Sequence, residues 1–215
     1  MHIPAPFAEI RLEILHNHIE KNSFGTLVMS SETGIDANHI PFELIKTAEP
    51  HGLLRGHVSR SNPIWTQLEK NEVLVIFQGA NTYISPALYP ARKTHGKVAP
   101  SWNYSAVHVY GSARAIEDKA WILEHLTRLT DKHEAARQDA WSVSEAPRDF
   151  IDTATNHVVG IEISINKILG KFQASQQYKE SVRLEIAKGL LAEGSDQAAT
   201  VARMIGSRKS MYVES

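Results

Sequence analysis

Cysteine is absent from the 215 residues. That excludes disulfides, thiol catalysis and cysteine-ligated metal, and it fits a reducing compartment. Nor does any stretch approach the ~20 consecutive apolar residues that span a bilayer. The N-terminal Met1–Leu15 carries acids and prolines where a signal peptide has its apolar run, so the expected location is the cytoplasm, with no membrane partner. Charge of one sign is lacking too. With 23 lysines and arginines against 24 acids, the formal net charge is −1, and no basic field draws the chain to nucleic acid or anionic lipid. Missing as well are the phosphate-cradling P-loop, the GxGxxG fingerprint, the GxSxG nucleophile elbow and the HExxH zinc motif. The commonest sequence routes to nucleotide binding, serine hydrolysis and zinc catalysis therefore do not apply.

What is present is ordinary for a soluble globular chain: 42% hydrophobic and 22% charged residues. Helical spacing of Phe7, Ile10 and Ile14 predicts an amphipathic helix over Phe7–Ile19. Phe24–Ser30 reads as a buried strand, Ser31–Gly34 as a turn and Ile35–Ile45 as a second strand. Its phase breaks at Asn38-His39 and Pro41, which predicts a bulge or an edge. After a turn at Thr47–Gly52 comes Leu53–Trp65, a strand that runs straight into a helix started by Ser61, Asn62 and Pro63. Glu72–Gly79 is apolar on both faces, and Asn81 is expected to turn the chain into Thr82–Ser85. A long loop, Ala87–Ser101, precedes the strand Trp102–Ile116. Helices are expected from Asp118 to about His133, from Pro147 with Phe150 inward, and around Ser181–Leu191 and Asp196–Met204. Val158–Ile163 and Ile168–Phe172 read as two strands, and Gly206–Ser215 as a polar tail. Strands and helices do not alternate regularly, so an antiparallel barrel with peripheral helices fits best.

Chemistry must come from residues outside the familiar motifs. His16 and His18 lie two apart on a helix and His125 and His133 two turns apart, so neither pair can hold one ion. His39 and His57 differ, because each sits on a strand beside a phase break or a glycine. The junction Arg60-Ser61-Asn62 offers a guanidinium, a hydroxyl, an amide and free helix N–H groups, which together suit a phosphate. Gln78, Tyr83, Trp102, Asn103 and Tyr104 lie at strand ends and suit a flat ring with polar edges. Flavin mononucleotide combines such a ring with a phosphate. DNA binding has only the thin groups Arg92, Lys93, Lys97 and Arg203, Arg208, Lys209, on no helix-turn-helix.

The segments MHIPAPF, ANHIPF, LRGHVSRSNPIW, VIFQG, YISPALYP, HGKVAPSWNY, LTDKHE, VGIEI and GKFQASQ resemble, in order, the PaiB family of FMN-binding negative transcriptional regulators. The match extends from the N-terminus to about Leu191. The resemblance implies an FMN-binding split β-barrel over residues 1–191, followed by a C-terminal helix and tail over 192–215. It implies a homodimer with FMN at the interface. By the same resemblance His57 and Val58 flank the ring and Arg60, Ser61 and Asn62 approach the phosphate. Asn38 and His39 lie on the neighbouring strand, and Trp102 and Asn103 come from the partner subunit. Gln78 is a further candidate at a strand end. From the last segment only Lys171 and Gln176 carry over, since Gln173 and Tyr178 stand where the family pattern has lysine and arginine. Regulation is expected to be indirect, through flavin, with direct DNA contact doubtful. A flavin-dependent oxidoreductase and a haem-binding split-barrel protein are the alternatives.

Overall fold

Period-two alternation builds the sheet. In Leu53–Ser59 (β5), Leu54, Gly56 and Val58 turn into the core while Arg55, His57 and Ser59 turn the other way. The computed structural model describes residues 1–31, 34–46, 50–70 and 72–208. The other strands are β1 (Ala8–Glu9), β2 (Phe24–Ser31), β3 (Gly34–Pro41), β4 (Glu43–Ile45), β6 (Glu72–Ile84), β7 (Ser101–Ile116) and β8 (Val158–Gln173). They form one sheet in the order β3-β2-β6-β7-β8-β5-β4, with β1 on β8, and the pairs are antiparallel. The helices are α1 (Leu12–Lys21), α2 (Lys119–Glu134), α3 (Arg148–Asn156), α4 (Glu180–Ala192) and α5 (Asp196–Ser207). Among the described residues no helix is long and apolar enough to cross a membrane.

Several boundaries differ from the sequence expectation. Phe7–Ile19 is not one helix: Ala8 and Glu9 are extended because they pair with Lys171 and Gly170 of β8. Helix α1 begins only afterwards, and Ile10 is left exposed. Asn81 does not turn, since β6 runs unbroken to Ile84, and the Asn81 N–H donates to Gln197 Oε1 at 3.1 Å. The two strands expected over 158–172 are one, β8. Phe150 faces outward rather than inward. The helix after Asn62 is a 3₁₀ helix, Pro63–Lys70. The phase break at Pro41 is where β3 ends, and Phe42 separates it from β4. Of the expected turns and tail, residues 32–33, 47–49 and 209–215 lie outside the described residues.

The chain divides into two compact units. One comprises residues 1–18, 78–107 and 169–215, and the other 19–77 and 108–168. In the first, α4 and α5 bury Ile186, Leu190, Val201 and Ile205 in a cluster with Ile84 and Tyr89. Tyr89 from the long loop meets Tyr178 edge to face at 5.3 Å. In the second, Leu27, Phe42, Leu54, Val75, Phe77 and Ile161 are essentially inaccessible, with Phe42 and Phe77 edge to face at 5.9 Å.

Candidate functional site

The second unit contains a cleft of about 470 Å³. It is lined by Asn38, His39 and Ile40 of β3, by His57, Val58 and Ser59 of β5, by Asn62, and by His157 and Val158. Strands β3 and β5 are not hydrogen-bonded neighbours in the sheet, so their side chains converge across the open side of the barrel. Asn62 joins the two walls. Its amide N–H donates to Asn38 Oδ1 at 2.6 Å, while its own oxygen accepts the Ile64 N–H at 3.0 Å and so caps the 3₁₀ helix. Asn38 in turn donates to Asp36 Oδ2 at 3.1 Å.

Five of the sequence-predicted residues therefore meet here: Asn38, His39, His57, Val58 and Asn62. Arg60 and Ser61 are adjacent but do not line the cleft. The Arg60 guanidinium donates to Glu117 Oε2 at 2.6 Å and to the Asn156 carbonyl at 3.0 Å. The Arg60 backbone N–H donates to the His157 carbonyl at 2.8 Å. Arg60 thus fastens the end of β5 to the α3–β8 junction and sets His157 on the cleft wall. The Ser61 hydroxyl is 2.8 Å from that of Ser59.

The remaining predicted residues belong to the first unit. Gln78 is exposed on β6, and Trp102 is exposed, 6.1 Å from the Tyr83 ring. Asn103 is buried and donates to the Ser175 hydroxyl at 2.8 Å. The Lys171 ammonium lies 5.2 Å from the centre of the Tyr104 ring. Gln176 is buried, accepting the Ala174 N–H at 2.6 Å and donating to the Phe172 carbonyl at 2.5 Å. It closes the turn in which Ser175 takes a positive φ of 57°.

Behind His57 lies a group absent from the residues expected at the site. His57 Nδ1 is 3.2 Å from Nε2 of His125, which is fully buried on α2 and stacked on Trp121 at 5.3 Å. The other ring nitrogen, His125 Nδ1, lies 4.0 Å from Glu43 Oε2. Arg128 donates to Glu43 Oε1 twice, at 2.9 and 2.7 Å. Burial, reinforced by His57, Arg55 and Arg128, pushes the His125 pKa down to about 4, and burial also lowers that of His57. One sequence signal did exist: His125 falls on the apolar stripe of α2 between Ile122 and Leu129, both buried. Ile40, Ser59, His157 and Val158 also line the cleft without being expected there, and for His157 no periodicity marks the position.

The sequence pattern of the family described as "Putative FMN-binding domain" matches residues 1–167. "Protease synthase and sporulation protein PAI 2" of Bacillus subtilis is 31% identical over 206 residues, spanning 95% of this chain and 96% of that protein. The chain belongs to the PaiB family of FMN-binding proteins. Two solved structures share its fold. The flavocytochrome Anf3 of Azotobacter vinelandii superposes with a TM-score of 0.60 at 13% identity, over 84% of this chain and 77% of that one. An FAD and heme binding protein of Mycobacterium smegmatis gives 0.57 at 14%, over 87% and 80%. The fold is thus an antiparallel split β-barrel with peripheral helices. The cofactor of the PaiB domain is FMN, and the cleft is chemically suited to it. No lining residue is acidic, and Ile40 and Val58 offer apolar surface to a ring. Amide, hydroxyl and imidazole groups provide hydrogen-bonding edges.

Proposed function

We propose that this chain is a flavin-dependent regulator of the PaiB type, which seats FMN in the cleft between β3 and β5 and acts without recognising an operator itself. The observation that carries the reading is the cleft. It gathers five residues expected at the flavin, holds no carboxylate, and is walled by a histidine with a buried support. When bound, FMN supplies redox chemistry, while the chain's own residues bind and orient it. Asn38 and Asn62 fix the edge of the slot, Val58 covers ring surface, and His57 meets a polar atom. Arg60 and Ser61 hold the neighbouring loop in place beside the slot.

The reading includes a homodimer, in which a second copy closes the slot against water. Trp102, exposed at 54%, has free surface for that contact. Asn103, Lys171 and Gln176 support the segments beside it, and the exposed Gln78 offers a free amide. Indirect action accords with the net charge of −1.

Absorbance of the purified protein with and without added FMN tests the proposal. Saturable uptake of one FMN per chain is expected, and failure to take up flavin overturns it. A Soret band after haem addition, without flavin uptake, would favour the haem protein. Reduction of bound flavin by a nicotinamide nucleotide would favour an oxidoreductase.

A further inference from the structure

Two buried polar atoms face one another with no hydrogen-bond partner among the described residues: His125 Nδ1 and Glu43 Oε2, 4.0 Å apart. Burying such atoms is costly, so their placement together calls for an explanation. A neutral imidazole carries its proton on one nitrogen, and its other nitrogen accepts. Two arrangements are therefore open to the His57–His125 contact, and Glu43 decides between them. Arg128 holds Glu43 Oε1 through two hydrogen bonds, leaving Oε2 turned to His125. A bare nitrogen lone pair against a buried carboxylate oxygen is repulsive, whereas an N–H there is attractive. The proton of His125 consequently sits on Nδ1. Its Nε2 then accepts, so His57 must donate through Nδ1, and His57 Nε2 is left bare.

We infer that Glu43, acting through His125, fixes the tautomer of His57, so that His57 presents a hydrogen-bond acceptor to an N–H or O–H group of the molecule in the cleft. The last step rests on the cleft being the cofactor site; the His57–His125–Glu43 chain does not. Glu43 and His125 are positioning residues in this arrangement, and His57 is the one that lines the cleft. The other groups facing the chain agree with a neutral His125. Trp121 covers one ring face, Arg55 lies over Trp121 at 5.2 Å, and Arg128 sits behind Glu43. Burial and these cations together disfavour a second proton.

The test is a long-range ¹H–¹⁵N correlation spectrum of histidine-labelled full-length protein at neutral pH, which distinguishes the two tautomers of each ring. In the wild type, His57 and His125 are both expected with the proton on Nδ1. In Glu43→Gln the amide oxygen stays on the Arg128 donors and its NH₂ turns to His125. Both rings should then switch to Nε2–H, and FMN should bind roughly tenfold more weakly, the worth of one hydrogen bond at the cleft. A proton on Nε2 of His57 in the wild type overturns the inference, and that measurement needs no variant to fold. Unchanged tautomers in a well-dispersed Glu43→Gln spectrum overturn it as well. Tautomers as expected in a wild type that takes up no FMN would sink the cofactor reading and leave the tautomer chain standing.

Discussion

His125 shows how one side chain ties folding to pH. Its pKa is pushed from 6.5 to about 4 in the folded state by burial and neighbouring positive charge. The unfolded chain therefore binds a proton that the folded chain refuses. Stability is at its full value above about 6.5 and declines as pH falls towards 4, by roughly 3 kcal/mol over that window. Glu9 acts lower. Hydrogen bonds from Arg11 hold it near 2 instead of 4.5, so its contribution is lost only as pH drops below 4.5. Urea unfolding at stepped pH should show the first decline in wild type and a flatter profile in His125→Phe; parallel profiles would refute the assignment. Arg60 makes a second test at this scale. Its guanidinium is engaged by Glu117 and the Asn156 carbonyl, so Arg60→Ala should loosen the loop and weaken FMN and riboflavin by the same factor. Loss of FMN affinity alone, by tenfold or more, would place the guanidinium on the phosphate instead, since a hydrogen bond to a charged group is worth about 1.5–3 kcal/mol.

At the level of elements, the site depends on how closely α2 lies on β8. Gly160 is the contact point: a Cβ there would run into the Trp121 indole. Trp121 is also the ring on which His125 stacks, so the glycine lets α2 approach far enough for His125 to reach His57. Gly160→Ala should cost about 1–3 kcal/mol through overpacking, measured as a lower denaturation midpoint at unchanged slope. A variant as stable as wild type would show that α2 can move aside. The loop between β5 and the 3₁₀ helix obeys the same logic. Asn62 both caps that helix and bridges to Asn38, so one side chain starts an element and ties it to the β3 wall of the cleft.

For the whole molecule, the open barrel leaves the cleft accessible from outside, and the proposed second copy answers this. Light scattering at micromolar concentration is expected to give twice the chain mass, and a strict monomer with tightly held flavin would rule the dimer out. Duplex DNA is expected to bind weakly and without sequence preference at physiological salt. A defined operator retained at ~10⁻⁸ M against competitor DNA would restore direct regulation. In the structure one of the two thin cationic groups noted in the sequence is partly spent internally: Arg208 pairs with Glu9 at 2.9 Å, and Arg203 donates to Thr200.

The sequence by itself determined the strand-rich class, the PaiB membership and most of the helices, because period-two and period-3.6 burial and unusual local motifs are written along the chain. It also singled out Asn38, His39, His57, Val58 and Asn62, which sit in two such motifs and line one cleft. Only the tertiary structure decided what lies behind that wall. His125 and Glu43 are separated from His57 by 68 and 14 positions, and nothing local signals that α2 will bring the histidine against β5 while β4 brings the carboxylate. The same holds for Ala8 and Glu9, whose helical surroundings yield to pairing with β8. Arg60, too, was legible as a cation at a helix start, but not as the partner of Glu117. Backbone pairing and buried polar contacts form between segments distant in sequence, and their energies outweigh local propensity wherever the two conflict.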